Sequence, residues 1–270
     1  MCGIAGYVGK KQATPILIDA LKRLEYRGYD SAGIAVLTDR GLETYKTEGK
    51  ISDLEAKLPD IKGFCGIAHT RWATQGAPTT LNAHPHVSGN IAVVHNGIIE
   101  NYQELYESLK SDGYEFVSET DTEVLAHLAN KYYKGNLLEA VMKGLKKVKG
   151  TYAAAFICRD SKQVIAARKE SPLIAGMGNG ESFVASDATA LLKYTRKVVY
   201  MHDFEIAELS DENIKFFDLD GNPVKEDVEL IEWNIEAAEK SGYPHFMLKE
   251  IHEQVTSVNV NVHRHAGGNL

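Results

Sequence analysis

Seven short apolar segments, at 152–158, 164–167, 173–176, 182–186, 198–200, 206–209 and 214–217, follow one another down the second half of the chain, bounded by turn formers. Segments of this length, rich in branched and aromatic residues, predict strands, with a short helix only over 188–194. The first half reads differently. Residues 3–8 predict a strand. Ala13, Ile16, Leu17, Ala20, Leu21 and Leu24 then recur at helical spacing and predict a helix ending near Arg27-Gly28. Strands are predicted at 32–37, 43–46 and 64–69, the first two joined by an Asp39-Arg40-Gly41 turn. Three further helices carry start signals: Asn101 with Glu104, Thr120 with Glu123, and Asn136 with Glu139. Of these, Thr120 best fits the capping box. Runs of strands with segregated helices predict a sheet-rich α+β fold.

With 270 residues the chain has room for one large domain or two small ones, and no internal repeat or strong boundary precedes residue 225. The net charge of -7 and the lack of a dense Lys/Arg stripe argue against nucleic acid as a partner. Three cysteines without a CxxC pair form neither a disulfide framework nor a zinc motif. No signal-peptide pattern or membrane-length apolar run is present, so a cytoplasmic, reducing location is expected, without a membrane partner.

Residues 70–90 fit neither structural period and are dense in turn formers and hydrogen-bonding groups, the composition of a functional loop. Arg71 within it suits either solvent or a carboxylate clamp. Trp72 suits a core position, and His84 and His86 suit structural hydrogen bonding beside Pro85. Their alternation, without a cysteine or carboxylate pattern, predicts no metal site. Asn96-Gly97 by itself fits a hairpin turn. A carboxamide donor beside a glycine N–H also makes an oxyanion hole. Asp121 is expected in the first turn of a helix capped by Thr120, where the helix dipole favours a carboxylate. Cys2 is either a small buried residue at a strand start or, once Met1 is removed, a thiol sharing a residue with a free α-amine. That amine titrates near 7.7–8.0, so it can take the thiol proton and return one to a leaving amine.

Six ordered motifs decide between these alternatives. They are Cys2-Gly3-Ile4-Ala5-Gly6, Tyr26-Arg27-Gly28-Tyr29-Asp30-Ser31-Ala32-Gly33, His69-Thr70-Arg71-Trp72-Ala73-Thr74, Asn82-Ala83-His84-Pro85-His86, His95-Asn96-Gly97-Ile98-Ile99-Glu100-Asn101-Tyr102 and Ser118-Glu119-Thr120-Asp121-Thr122-Glu123. Together they resemble the glutaminase domain of the glucosamine-6-phosphate synthases (glutamine–fructose-6-phosphate aminotransferases), which belong to the N-terminal-nucleophile amidotransferases. The likeness extends to about residue 254. It implies the N-terminal-nucleophile hydrolase fold, a four-layer αββα sandwich of two mainly antiparallel sheets. It also implies hydrolysis of L-glutamine to glutamate and ammonia through a Cys2 thioester, without a cofactor or metal. By the same resemblance Asn96 and Gly97 hold the oxyanion. Arg71 takes the substrate carboxylate and Asp121 its ammonium. Trp72, Thr74, Gln75 and His84 line or support the pocket, and Arg27 lies close to the nucleophile.

One position departs from the pattern. Gln75 stands where the family usually has histidine, and it cannot take a charge near pH 7, so altered activity is expected. The resemblance implies an amidotransferase domain over 2–230, linker helices over 231–254 leading toward sugar-isomerase domains that this chain lacks, and an atypical, flexible tail over 255–270. A homo-oligomer is compatible with this organisation. The alternatives are a binding or regulatory module that has lost turnover, and an ammonia donor to a different acceptor enzyme.

Overall fold

A computed structural model describes residues 2–232, 243, 247–249, 251, 252 and 254. The predicted tail over 255–270 and most of the predicted linker lie outside these residues. The chain divides after Ile231 into two compact units, and the fold below is that of the first. Among the described residues no helix is long and apolar enough to cross a membrane.

Two sheets form the body of the unit. The first has eight strands in the order Glu229–Leu230 (β15), Lys197–Tyr200 (β11), Ile174–Met177 (β9), Glu181–Ala185 (β10), Gly3–Gly9 (β1), Gly63–Arg71 (β4), Ser31–Thr38 (β2) and Gly41–Glu48 (β3). The second has seven: Pro223–Val224 (β14), Ile214–Asp218 (β13), Glu205–Leu209 (β12), Ser161–Lys169 (β8), Gly150–Cys158 (β7), Ile91–Ile99 (β6) and His86–Ser88 (β5). Every pairing is antiparallel.

Alternation along β7 shows how the layers are specified. Ala153, Ala155 and Ile157 enter the core shared with Ile4, Val8, Ile67 and Val184 of the first sheet. Tyr152, Ala154, Phe156 and Cys158 point the other way, into a core completed by Leu105, Val124, Leu128 and Val141. Both faces are buried, which is why the strand is written as one continuous apolar run. The second core is closed by helices Tyr102–Ser111 (α3), Glu123–Tyr132 (α4) and Leu137–Leu145 (α5). Helix Ala13–Leu24 (α1) packs on β1 and β4 through Ile16, Leu17, Ala20, Leu21 and Leu24, all buried. The result is the four-layer αββα sandwich of the N-terminal-nucleophile hydrolases.

The local helix signals fare unevenly. The capping box at Thr120 does not form: α4 starts at Glu123 behind Thr122, and the Glu123 carboxylate instead accepts from the N–H groups of Val117 and Ser118 at 3.0 and 2.8 Å. The looser signal at Asn136 is a true cap, its side chain accepting from Glu139 N at 3.2 Å. Helix Ile51–Lys57 went unpredicted because two apolar positions, Ile51 and Leu54, are too few to set a period.

Candidate active site

Strand β1 leaves Cys2 at the end of the first sheet, beside the last residues of β4. The Trp72 N–H donates to Cys2 Sγ at 3.1 Å. Burial pushes the thiol above its usual range, opposed by this Trp72 hydrogen bond and by the Arg71 charge, and reinforced by Asp30. The strand is seated by side chains on both flanks: Gly3 N donates to Thr70 Oγ1 and Ile4 N to Ser186 Oγ, each at 3.0 Å.

Asn96 and Gly97 do not turn the chain. Both lie within β6, paired with Ala153 and Tyr152 of β7, so the hairpin alternative falls. Gly97 has φ +140°, and a Cβ there would sit 2.1 Å from the Thr151 carbonyl oxygen, so the position demands glycine. Asn96 Nδ2 donates to the Cys2 carbonyl at 3.1 Å, leaving its Oδ1 to face His69 Nε2 at 2.9 Å. An oxygen there requires a donor, so His69 carries its proton on Nε2. Among the described residues its Nδ1 has no hydrogen-bond partner.

His69 belongs to a buried group of four with His84, His86 and His95. The His69 and His84 rings lie 4.1 Å apart, and His84 and His86 4.9 Å. Burial holds His69 and His86 down to about 3, and pushes His84 and His95 below their ordinary value as well. All four are neutral at pH 7. They serve as hydrogen-bonding struts: His86 Nε2 meets Thr120 Oγ1 and His95 Nδ1 meets Thr122 Oγ1, both at 2.9 Å. The sequence reading assigns no role of their own to His69 and His95. Nothing in their spacing marks them as a buried group, because three separate segments bring them together.

Arg71, 4% exposed, points into the loop that follows it. Nη1 donates to the Ala77 carbonyl at 3.0 Å, and Nη2 to the carbonyls of Gly76, at 3.1 Å, and Gln75. Position 75 thus meets the arginine through its main chain. The far end of the loop is latched by Asn82 and Glu119: Asn82 Nδ2 donates to Glu119 Oε2 at 2.9 Å, and Glu119 N to Asn82 Oδ1 at 2.9 Å. Asp30, another residue without a predicted role, accepts from Ala73 N and donates its own N–H to the Arg71 carbonyl.

Asp121 is not in the first turn of a helix. It lies before α4, buried, with Oδ2 accepting from Ile99 N at 2.8 Å, two residues along β6 from Gly97. Trp72 is not core either: it is 52% exposed and lies over Gly28, where a Cβ would come within 2.6 Å of its ring.

Cys2, Arg71, Trp72, Thr74, Gln75, His84, Asn96, Gly97 and Asp121 all line one cleft, with His95, Thr120 and Thr122. Arg27 does not join them. Its guanidinium lies 3.5 Å from Asp187 and donates to the Ser186 carbonyl, next to the hydroxyl that seats Ile4. The cleft is narrow, with a free volume of about 30 Å³. Larger cavities of about 730 and 530 Å³ contain none of these residues. The arrangement offers a thiol, amide donors around it and one charge of each sign, the set needed to hold a zwitterion and cleave its amide.

Comparison with known proteins agrees in kind. The glutamine amidotransferase domain family profile matches residues 69–193. A glutamine–fructose-6-phosphate aminotransferase (isomerizing) from Thermus thermophilus is 54% identical over 259 residues, covering 94% of this chain and 43% of that protein. One from Methanosarcina acetivorans is 53% identical over 274 residues, covering 96% and 44%. Among solved structures, the glutamine phosphoribosylpyrophosphate amidotransferase of B. subtilis superposes with a TM-score of 0.72 at 29% identity, covering 82% of this chain and 50% of that one. The chain therefore spans less than half the length of the curated relatives it matches.

Proposed function

From a chain that carries a glutaminase-type amidotransferase domain of the glutamine–fructose-6-phosphate aminotransferase kind, we propose the reaction L-glutamine plus water to L-glutamate plus ammonia, with Cys2 as nucleophile. The observation that carries this reading is the convergence of Cys2, Asn96, Gly97, Arg71 and Asp121 on one cleft. Removal of Met1 frees the Cys2 α-amine, which takes the thiol proton. The thiolate attacks the side-chain amide carbon of glutamine, and the new oxyanion accepts from Asn96 Nδ2 and Gly97 N. Collapse breaks the C–N bond, the α-ammonium returns its proton to the departing nitrogen, and ammonia leaves. A water activated by the same amine then cleaves the thioester to glutamate. Arg71 receives the substrate carboxylate and Asp121 its ammonium.

Residues 2–230 are assigned to this activity and 231–254 to a connection toward an acceptor region. Transfer of ammonia to fructose 6-phosphate is a proposal for the whole enzyme, with the part of the relatives' length that this chain does not match supplying the acceptor site. The test joins N-terminal mass determination with an assay of glutamate release on the same sample. Trimmed protein releases glutamate, and Cys2→Ala abolishes the release. A trimmed, folded protein with no Cys2-dependent release at saturating glutamine would sink the proposal. Fructose 6-phosphate added to this chain alone yields no aminated sugar.

A further inference from the structure

Far down the second sheet, the connection from β11 to β12 brings His202 and Glu205 against Glu226, which follows β14. One ligating atom from each lies within 4.8 Å of the others. The Glu226 side chain is only 8% exposed, and its carboxyl shares a hydrogen bond with that of Glu205 rather than meeting a cation. His202 Nε2 stands 3.8 Å from the Glu226 carboxylate, too long for a hydrogen bond. Glu205, 7% exposed, spends one oxygen on the His202 N–H at 2.6 Å. Among the described residues no Lys or Arg pairs with either carboxylate, since Arg168 turns to Asp203 and the Met201 carbonyl. Two close carboxylates, buried without a cation, are a costly arrangement.

We propose that His202, Glu205 and Glu226 form a binding site for a divalent transition metal of the zinc class. Two ligands of a tetrahedral zinc with bonds of about 2.0–2.1 Å stand roughly 3.4 Å apart, close to the observed His202–Glu226 separation. One imidazole and two carboxylates suit such an ion and leave a position for water. The bound ion ties the segment after β14 to the β11–β12 connection. The sequence predicted no metal site because the third ligand lies 21 residues beyond the second and no motif joins them.

The experiment uses the full chain in a Cys2→Ala background, so that the thiol does not compete for metal. Metal-free protein is titrated with Co²⁺, followed by visible absorption and equilibrium dialysis, and with Zn²⁺, followed by thermal unfolding. One equivalent of Co²⁺ binds with tetrahedral bands, and Zn²⁺ at about a hundredfold excess over its Kd raises Tm by roughly 5–10 °C. His202→Ala and Glu226→Gln each abolish both signals, whereas a His263→Ala/His265→Ala variant keeps them. The exposed position of His202 keeps its variant folded. No saturable uptake, uptake that survives His202→Ala and Glu226→Gln, or uptake lost with the tail histidines overturns the proposal.

Discussion

Asn96 Nδ2 lies 3.1 Å from the main-chain carbonyl of Cys2, so the proposed oxyanion donor is already held by the nucleophile's own residue. The other end of the carboxamide is fixed by His69. Donor orientation is thereby set before substrate arrives, which is what electrostatic preorganisation requires. Asn96→Ala removes the donor and is expected to lower kcat for glutamate release by roughly 10²–10³-fold, with KM changed far less. A loss under tenfold in a folded variant would remove Asn96 from the oxyanion hole.

Arg71 reaches three successive carbonyls, at positions 75, 76 and 77, with one planar guanidinium. Lysine offers donors from a single point and cannot reproduce that fan. Arg71→Lys is expected to raise KM for glutamine by roughly 30-fold, about 2 kcal/mol, through loss of both loop order and carboxylate pairing. Steady-state kinetics with glutamine measures this. An unchanged KM would show that the arginine only organises its loop.

Gln75 engages Arg71 through its carbonyl, a contact indifferent to the side chain. Gln75→His is therefore expected to change kcat/KM by less than about threefold, well under 1 kcal/mol in the barrier. A gain of tenfold or more would instead locate a lost function in the missing imidazole.

The buried histidines make stability depend on pH. His69 and His86 are held near 3 in the fold, against about 6.5 when the chain is unfolded. Between those values the unfolded chain binds more protons than the folded one. Stability is thus full above about pH 6.5 and is lost as pH falls toward 3, at up to about 1.4 kcal/mol per pH unit from each histidine. Urea denaturation at pH 7.5, 6 and 5 reads the slope. Constant midpoints across that range would show that the histidines are not buried neutral.

Much of the fold was legible because β7 and α1 state their burial in their own periods. The site was legible as motifs but not as geometry. Asn96-Gly97 has the composition of a turn, and only pairing with β7 keeps it extended. Thr120 has the spacing of a cap, but His86 claims its hydroxyl and Glu123 turns to the 117–118 backbone. In each case a partner distant in sequence outbid a local preference. The turn of Arg71 toward its own loop, rather than toward solvent, has no local signature at all.

The central place of β1 in its sheet also bears on how the chain is made. Its neighbours are β4 and β10, and its Ile4 N–H is met by a hydroxyl 182 residues away. At about 5–20 residues per second, translation takes on the order of 10–35 s between the emergence of Cys2 and the synthesis of β10. Throughout that interval one edge of β1 has no strand to pair with, and closure over such a distance is slow in any case. On the proposed reading, in which Cys2 acts once Met1 is removed, a trimming enzyme has a long period of access before the sheet closes, and the timing of synthesis becomes part of that maturation.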